Sequence, residues 1–345
     1  MKKDDKILIT GSAGFMACHI YDQLARDGYE NIYGIDNFSG GFLRNISNKD
    51  KFTELDLKDR QKVSEYIDNL KPDVIFHLAA DATEGRSQFT PFSALDNNLV
   101  AYMNLLVPVI RNGIKKIILT SSMSVYGAQP TPFTEDMLPM PEDVYATAKS
   151  GMENITRVMS DVYGFKYVII RPHNVYGPKQ NLADPYRNVI GIFLNRLLNH
   201  KNFYIYGDGE QKRAFSYIDD VTPAMIKSAI TPTCEGRIIN IGGDENVNLN
   251  QISEMVLKIF FETDNIPDNF QPTHLADRPK EVKFAFSDHK VARELLDFEN
   301  KTSLKNGLIK TIKWARDLGP KEFKYLDKLE LDHPSLPKTW KERLM

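Results

Sequence analysis

Cysteine is scarce in this sequence, because its 345 residues include only two, and these form no CxxC pair. Neither a disulfide framework nor a structural zinc site is therefore expected, and the scarcity fits a reducing compartment. Long apolar runs are missing as well. Only a four-residue apolar stretch precedes Gly11, far short of a signal-peptide core, and no run approaches a membrane span. These absences predict a soluble cytoplasmic protein with no metal site and no membrane partner.

An excess of charge of either sign is also missing. The 44 Lys+Arg residues and 46 Asp+Glu residues leave a net charge of −2. A near-neutral chain lacks the basic footprint of a nucleic-acid-binding protein, so no nucleic-acid partner is expected. The hydrophobic fraction of 42 % is typical of a globular protein. The length predicts either two domains or one large α/β unit with an appended lobe.

Short β-branched runs alternate with longer helical patterns through the first half of the chain. Because helices separate the strands, the pattern predicts an α/β fold with a doubly wound parallel sheet. The predicted strands cover residues 6–10, 31–36, 74–78, 116–120 and 166–171, and the predicted helices cover residues 15–27, 59–70, 96–113 and 145–163.

The regular alternation fades after Arg171 into a stretch rich in Pro, Gly and Asn. We therefore predict a cofactor-binding domain over residues 1–172. Residues 173–345 are predicted to form mainly a smaller substrate lobe, with some of its segments free to return to the first sheet. The cleft between the lobes is the expected site. The last stretch, from about residue 321 to 345, mixes charged and apolar residues and is predicted to pack on the surface of one lobe.

The glycines between the first strand and the first helix indicate a phosphate site. Gly11, Gly14 and Ala17 are small residues that let backbone amides approach a pyrophosphate at the helix N-terminus. Asp36 stands about 22 residues past Gly14, at the end of the second strand. A carboxylate there accepts both adenosine ribose hydroxyls and repels a 2′-phosphate, so the pattern favours NAD over NADP.

A catalytic pair is indicated by Tyr145 and Lys149, which are four residues apart and share one face of the predicted helix. An ammonium beside a phenol stabilises the phenolate and lowers the pKa of the phenol toward neutral pH. By itself the spacing is equally that of an ordinary helix face. The segment TSSMSVYG adds serine hydroxyls, including Ser122, at the carboxyl edge of the sheet.

Several segments in the same order resemble the extended short-chain dehydrogenase/reductase family, specifically its NAD-dependent nucleotide-sugar epimerases and dehydratases, the group that includes UDP-glucose 4-epimerases. These segments are TGSAGFMACH, HLAAD, TSSMSVYG, YATAK and RPHNVYGP in the first half, and YGDGEQKRAFSYIDD and INIGG in the second. The resemblance implies a Rossmann-type domain, NAD as cofactor, a nucleotide-diphosphate sugar as substrate and a homodimer.

The resemblance also assigns site residues. The implied cofactor-binding residues are Gly11, Gly14, Phe15 and Met16 at the pyrophosphate, Asp36, Asn37, Asp56 and Leu57 at the adenosine, and Leu78, Ala79, Ala80, Asn98, Tyr145, Lys149 and His173 at the nicotinamide half. The implied catalytic set is Ser122, Tyr145 and Lys149. The implied substrate-binding residues are Ser122, Tyr145, Asn174, Asn188, Val189, Tyr204, Arg213, Arg278 and Ala285, of which Ala285 falls at the position that limits the group on sugar carbon 2.

The same resemblance narrows the reaction. Dehydratases of the family carry an Asp-Glu pair where this chain has Met123 and Ser124, decarboxylases carry a glutamate at Ser124, and 3,5-epimerases carry a cysteine at Ser124 and a lysine at about Asn188. The implied activity is a 4-epimerase that passes through a transient 4-keto sugar. A net 4-dehydrogenase or ketoreductase, another epimerase or dehydratase of the family, and a non-catalytic NAD(H)-responsive binding protein are the alternatives.

One loop departs from the family pattern. Glu84 and Arg86 stand where 4-epimerases commonly carry smaller or apolar residues. Two interpretations are open at this point: a loop ion pair of little energetic consequence, or recognition of a charged or unusual sugar.

Overall fold

A seven-stranded, wholly parallel sheet forms the centre of the first lobe in the computed structural model, which describes residues 1–345. The strand order is β11-β6-β5-β4-β1-β2-β3. The fourteen strands are β1 (Ile7–Thr10), β2 (Ile32–Asp36), β3 (Phe52–Glu54), β4 (Val74–His77), β5 (Lys116–Thr120), β6 (Lys166–Pro172), β7 (Val175–Tyr176), β8 (Tyr204–Tyr206), β9 (Lys212–Ala214), β10 (Ser216–Tyr217), β11 (Arg237–Ile241), β12 (Asn246–Asn248), β13 (Thr273–Leu275) and β14 (Phe284–Ala285).

Helices cover both faces of this sheet. The twelve helices are α1 (Phe15–Arg26), α2 (Arg60–Leu70), α3 (Glu84–Ser87), α4 (Pro91–Leu95), α5 (Ala101–Arg111), α6 (Val144–Tyr163), α7 (Val189–Leu198), α8 (Ile218–Ile230), α9 (Leu249–Phe261), α10 (Lys290–Leu296), α11 (Leu304–Leu318) and α12 (Lys338–Lys341). The α/β, doubly wound prediction is confirmed.

Successive residues of β1 pack against helices on opposite faces of the sheet. Ile7 and Ile9 pack with α1, α8 and α10, whereas Leu8 packs with α2, α5 and α6 on the opposite face. Each of these side chains is fully buried, and burial of one such side chain contributes about 1.5–3 kcal/mol. A strand buried on both faces is largely apolar, which is why Ile7, Leu8 and Ile9 form a continuous apolar run.

The five predicted strands are all present, but the predicted helix over residues 96–113 differs from the structure. The helical segment begins earlier, at Pro91, and residues Asp96–Val100 form one wide π-type turn before α5 continues from Ala101. Proline suits a first helical position because its missing N–H has no partner there. A π turn inside a helix often marks a functional region, and this one lies beside the cleft described below.

The second lobe has its own apolar core, where α7, α9 and α11 pack against short strands. Its sheets are small: β12-β9-β14 form three strands, and β13-β8 and β10-β7 form pairs. Helix α9 begins with a capping box, in which Asn248 accepts a hydrogen bond from the amide of Gln251 and the Gln251 side chain accepts one from the amide of Asn248.

The chain returns to the first lobe after it has entered the second. Strand β11 pairs with β6 at one edge of the first-lobe sheet, and α8 and α10 pack in the first-lobe core. Segments from the second half of the sequence therefore complete the first lobe. The boundary between residues 172 and 173 stays a prediction.

The C-terminal segment, residues 320–345, lies across both lobes. Glu330 accepts hydrogen bonds from the amides of Phe92 and Ser93 at the start of α4, in the first lobe. Thr339 hydrogen-bonds Tyr206 of the second lobe. The segment is therefore more than a tail on one lobe, which corrects the sequence-based expectation. No helix in the structure is long and apolar enough to cross a membrane.

Candidate active site

A cleft of about 730 Å³ separates the two lobes at the carboxyl ends of the sheet strands. That volume is in the range of small-molecule and cofactor sites. The position is also where open α/β sheets bind ligands, because the loops after neighbouring strands meet there. All but two of the residues assigned by resemblance line this cleft.

The glycine turn after β1 lies close to the backbone of the loop that follows β4. Gly11 has φ +70°, and a β-carbon placed on it would lie 2.9 Å from the Cα of Ala79. Gly14 donates its amide to the Gly11 carbonyl at 2.8 Å and begins α1. A β-carbon placed on Gly14 would lie 2.9 Å from the Gly11 carbonyl oxygen, so both positions are too close to backbone atoms for a side chain. The turn therefore fits a dinucleotide pyrophosphate, which needs exposed amides at that point.

Asp36 ends β2 with its carboxylate held by the backbone. Its oxygens accept hydrogen bonds from the amides of Ala13, at 3.1 Å, and Phe38, at 2.6 Å. Burial raises the pKa of Asp36, while the surrounding amides act to lower it. Next to it, the Asn37 amide donates to the carboxylate of Asp56 at 3.1 Å. This end of the cleft therefore presents acceptors at fixed positions.

Thr10 holds in place Leu78 and Ala79, which line the cofactor half of the cleft, and sequence reasoning missed it. Its hydroxyl accepts hydrogen bonds from the amides of Leu78 and Ala79, both at 3.2 Å, and contacts Nδ1 of His77 at 2.9 Å. Burial lowers the pKa of His77 to about 3, so this imidazole is neutral. A threonine at the end of an apolar strand carries no signal for such a role in the sequence.

The chain brings Tyr145, Lys149 and Ser122 together at the carboxyl end of β5. Tyr145 and Lys149 lie in the first two turns of α6, and the Lys149 Nζ is 5.8 Å from the centre of the Tyr145 ring. The same Nζ donates to the carbonyl of Thr120 at 2.8 Å. Ser122 accepts hydrogen bonds from the amide and the hydroxyl of Ser124. All three side chains are buried and line the cleft.

The pKa of the phenol departs from the sequence-based expectation. Burial raises the pKa of Tyr145, the charge of Glu84 raises it further, and the Ser122 hydroxyl acts to lower it. Burial lowers the pKa of Lys149 to about 8, although the nearby Glu153 opposes this. The pair is therefore desolvated, and Lys149 by itself does not bring the phenol to a neutral pKa.

A buried ion pair lies one helical turn beyond Lys149. Arg171 on β6 donates to Glu153 on α6 through Nε at 2.9 Å and through a terminal nitrogen at 2.6 Å. Ser121, at the end of β5, also hydrogen-bonds Glu153. The Arg171 guanidinium lies 4.5 Å from the ring centre of Tyr126. This network joins β5 and β6 to the helix that carries the catalytic pair.

His173 and Asn98 are the two assigned residues whose side chains do not line the cleft. Both nitrogens of His173 are engaged inside the protein, by the carbonyl of Ile241 at 3.0 Å and by the hydroxyl of Ser287. The Asn98 amide donates to the carbonyls of Asp81 and Ala94. Both side chains are fully buried, so they support the cleft walls. The expectation that they contact the cofactor stays a prediction.

The substrate half is lined by the remaining assigned residues. Arg213 on β9 and Arg278 share one carboxylate, that of Glu281, at 2.8 Å and 2.7 Å. Because two arginines share one carboxylate, the three side chains together carry a net positive charge, which suits a phosphate group. Ala285 on β14 pairs with Arg213 in register. Asn174, Asn188, Val189 and Tyr204 complete this wall.

Sequence reasoning missed Arg187 and Asp143 in the same cleft. Arg187 pairs with Asp184 at 3.0 Å. Asp143 caps α6 by accepting a hydrogen bond from the amide of Ala146 at 2.8 Å. Burial raises the pKa of Asp143 to about 7, and the charge of Glu84 adds to that rise. The only sequence signal for Arg187 is its position, directly before the assigned Asn188.

The cleft is also bordered by the C-terminal segment. Leu326 and Met345 line it, and the indole of Trp340 packs between Phe89 and Tyr186. The Met345 amide donates to the hydroxyl of Tyr325 at 2.7 Å. The segment therefore forms part of the outer wall.

Comparison with known proteins agrees with this arrangement. A UDP-glucuronate 4-epimerase of Thermodesulfobacterium geofontis is 29% identical over 322 residues, covering 90% of this chain and 96% of the relative. The crystal structure of UDP-glucose 4-epimerase with UDP-glucose from Thermotoga maritima has a TM-score of 0.82 and 32% identity, covering 90% of this chain and 99% of that one.

A third relative was solved with both a cofactor and a nucleotide sugar. It is the UDP-glucuronic acid 4-epimerase of Bacillus cereus in complex with UDP-glucuronic acid and NAD, with a TM-score of 0.81, 29% identity, and coverage of 90% of this chain and 99% of that one. The model of the NAD dependent epimerase/dehydratase family matches residues 7–242. This chain belongs to that family, as an enzyme whose cofactor is NAD.

Proposed function

We propose that this enzyme is a nucleotide-sugar 4-epimerase that works through a transient 4-keto sugar. One observation carries the proposal: Tyr145, Lys149 and Ser122 converge in the same cleft that holds the glycine turn at one end and the arginine pair of Arg213 and Arg278 at the other. The cleft thus combines a cofactor end, a proton-transfer group and a phosphate-binding end.

The cofactor end would hold NAD through this chain's backbone and acids. The amides around Gly11 and Gly14 suit its pyrophosphate, and Asp36 suits the adenosine ribose, where a 2′-phosphate would meet a like charge. When bound, NAD supplies a two-electron oxidant and reductant for sugar carbon 4 and a positive ring charge. Leu78, Ala79 and Ala80 line the neighbouring wall.

Tyr145 is the proposed base. Its phenolate accepts the proton of the 4-hydroxyl as carbon 4 is oxidised, and its phenol returns a proton when carbon 4 is reduced. The phenol is buried, so removing water strengthens its interaction with nearby charges. The Lys149 ammonium supports the phenolate, and Glu153, one turn further along α6, favours the charged form of Lys149.

Ser122 is proposed to orient the sugar hydroxyl. It lies at the end of β5 with its hydroxyl already accepting from Ser124, so its own proton is free for another acceptor. Arg213 and Arg278 would hold the substrate pyrophosphate through paired donors. With the nucleotide held at that end, the sugar can turn between oxidation and reduction.

The neighbouring residues argue against dehydration and decarboxylation. Met123 and Ser124 supply no carboxylate after β5. Cys18 and Cys234 are buried outside the cleft, so no thiol base is present there. Oxidation at carbon 4 followed by reduction is the reaction that the Tyr145, Lys149 and Ser122 set can perform without a further base.

A homodimer is part of the proposal. The outer faces of α5 and α6 expose Val107, Val158, Val162 and Tyr163, with exposures from 43% to 68%. The two helices are held side by side by a 2.6 Å hydrogen bond between Tyr102 and Thr156. Light scattering on the purified protein tests this, and Val162→Glu should produce monomers.

The experiment for the reaction is incubation with NAD and, separately, UDP-glucose, UDP-N-acetylglucosamine and UDP-glucuronic acid, followed by proton NMR. The expected product of at least one substrate is its carbon-4 epimer, with no net accumulation of NADH. A 4-keto product formed with stoichiometric NADH would instead identify a dehydrogenase.

A further inference from the structure

Glu84, the first residue of the short helix α3, carries a carboxylate that no residue of the chain pairs with. It forms no salt bridge within 4.0 Å, and no other side chain donates a hydrogen bond to it. The neighbouring Arg86 pairs with Asp81 and stacks over the ring of Tyr186 at 4.9 Å. Glu84 therefore faces the cleft as a free acid, and the proposed reaction does not use it.

Helix α3 places this acid between the two ends of the proposed substrate site. On one side, the Ser87 hydroxyl accepts a hydrogen bond from the amide of Tyr145 at 3.1 Å. On the other, a β-carbon placed on Gly85 would lie 3.6 Å from a guanidinium nitrogen of Arg278. A sugar that links a pyrophosphate at Arg278 to a carbon 4 at Tyr145 must pass α3.

Burial raises the pKa of Glu84, and the charges of Arg187, Arg278 and Arg213 act to lower it. None of these cations forms an ion pair with Glu84, because each is already paired elsewhere. Arg187 is held by Asp184, and Arg213 and Arg278 share Glu281. A bound pyrophosphate would use the surplus charge of that pair. Asp143 adds a second acid next to α3, since the Ser87 hydroxyl lies 3.3 Å from its carboxylate. The other groups facing this region are Lys149, Glu142, Lys280 and Asp81, and Glu142 and Lys280 pair with each other at 2.8 Å.

We propose that Glu84 makes the sugar site selective for hexoses without a carboxylate, so that it accepts hydrogen bonds from sugar hydroxyl or amide groups and rejects uronic acids. The proposal rests on the proposed epimerase function and names the charge class of its substrate. Like charges juxtaposed in a partly desolvated site disfavour the wrong ligand. The same carboxylate accepts hydrogen bonds from neutral sugars at no such cost.

The surroundings of α3 keep the acid in place. The indole of Trp340 would be 3.3 Å from a β-carbon at Gly85, and Ser87 also donates to the Glu84 carbonyl at 2.7 Å. The helix is therefore fixed between the C-terminal segment and α6. A fixed carboxylate discriminates better than a mobile one, because it does not swing away from a repelled ligand.

The test compares UDP-glucose with UDP-glucuronic acid on the NAD-loaded protein. Wild type should favour UDP-glucose in both kcat/KM for epimerisation and Kd by calorimetry. Glu84→Gln should raise the kcat/KM ratio of glucuronate to glucose about 10-fold or more and should tighten UDP-glucuronic acid selectively. Glu84→Asp keeps the charge and should keep the preference.

Glu142→Gln is the matched control, because it removes the same charge from the cleft rim where Lys280 neutralises it. It should leave the ratio unchanged. Equal use of both sugars by wild type, or a Glu84→Gln ratio equal to that of wild type, would overturn the proposal even if epimerisation occurs. Absence of epimerisation of every sugar would instead count against the reaction, while the two Kd values would still test Glu84. Melting temperatures separate a folding defect from a change in selectivity.

Discussion

Arg86 pairs with Asp81 across the start of helix α3, and this pairing separates two residues that the sequence places together. The side chain of Arg86 turns into the protein, where only 9% of it is exposed, and Glu84 is left to face the cleft. A loop ion pair between Glu84 and Arg86, one of the two interpretations open from the sequence, is therefore wrong. The Glu84 carboxylate lines the cleft without an ion-pair partner.

The first prediction concerns the cofactor preference. Wild type should bind NAD more tightly than NADP, because the Asp36 carboxylate would meet the 2′-phosphate. Asp36→Ser should narrow that preference about 10-fold or more, which corresponds to about 1.4 kcal/mol. Titration of both cofactors measures it. The control is Asp56→Asn, which removes an acid further from β2 and should reduce the preference for NAD over NADP much less. Tighter binding of NADP than of NAD by wild type would rule out the proposed role of Asp36.

The second prediction concerns the proton-transfer group. Tyr145→Phe should lower kcat by about 10² to 10⁴, the usual contribution of a general base, while the Kd of the nucleotide sugar stays nearly unchanged. Lys149→Met should lower kcat and also weaken NAD binding. Steady-state kinetics and calorimetry separate these effects. A Tyr145→Phe enzyme with wild-type turnover would refute the mechanism.

The third prediction concerns the size of the sugar pocket. Ala285 lies in the wall beside Met123 and is 7% exposed, so a 2-acetamido group should be tolerated. Ala285→Tyr should lower kcat/KM for UDP-N-acetylglucosamine about 10-fold or more and leave UDP-glucose much less affected, since the added ring is a specific steric obstacle. Equal losses for both sugars would show that Ala285 does not limit this pocket.

The fourth prediction concerns stability and pH. Asp143 has a pKa of about 7 in the folded protein against 3.8 for the free group. Between about pH 4 and pH 7 the folded state therefore holds a proton that the unfolded state releases, so this group lowers the free energy of unfolding as pH rises, and its effect levels off above pH 7.

Asp143→Asn removes that titration but keeps a good N-cap for α6. The variant should gain stability relative to wild type as the pH rises from about 5 to 8. Urea unfolding at both pH values measures the change. A stability difference independent of pH would contradict the shifted pKa.

The fifth prediction concerns the ion pair of Arg171 and Glu153, whose side chains are 1% and 5% exposed. Glu153→Gln leaves the Arg171 charge buried without its partner, and we expect a loss of about 3–5 kcal/mol in the free energy of unfolding. Urea unfolding provides the measurement. Asp68→Asn, which breaks the exposed pair with Arg111, is the control and should cost about 1 kcal/mol or less.

The cofactor half of the site follows from the sequence because its parts are local. Gly11, Gly14 and Asp36 come at the ends of two consecutive strands, and parallel strands bring those ends together at one sheet edge. The Tyr145 and Lys149 pair is local too, since one helix face holds both. Patterns of spacing therefore predict that these residues lie near the sheet edge, and in the structure they line the cleft there.

The rest of the site depends on contacts between distant parts of the chain. His173 follows a strand as a cleft residue would, but its partners are Ile241 and Ser287. The sequence also did not predict that Arg86 pairs with Asp81 or that Trp340 lies next to Gly85. The local sequence does not determine which side chain will point into the protein. The phenol's raised pKa likewise comes from burial, which is a property of the folded molecule.

The return of β11 to the first-lobe sheet has a consequence for dissecting the protein. A fragment ending near residue 172 would keep β6 but lose the strand that pairs with it, and would also lose α8 and α10 from one face of the sheet. It would expose unpaired backbone groups and an apolar layer, which favours aggregation. Neither lobe is therefore a module that can be cut out or exchanged at a single point. A chimera that alters the sugar site must exchange several separate segments, with a junction at each point where the chain passes from one lobe to the other.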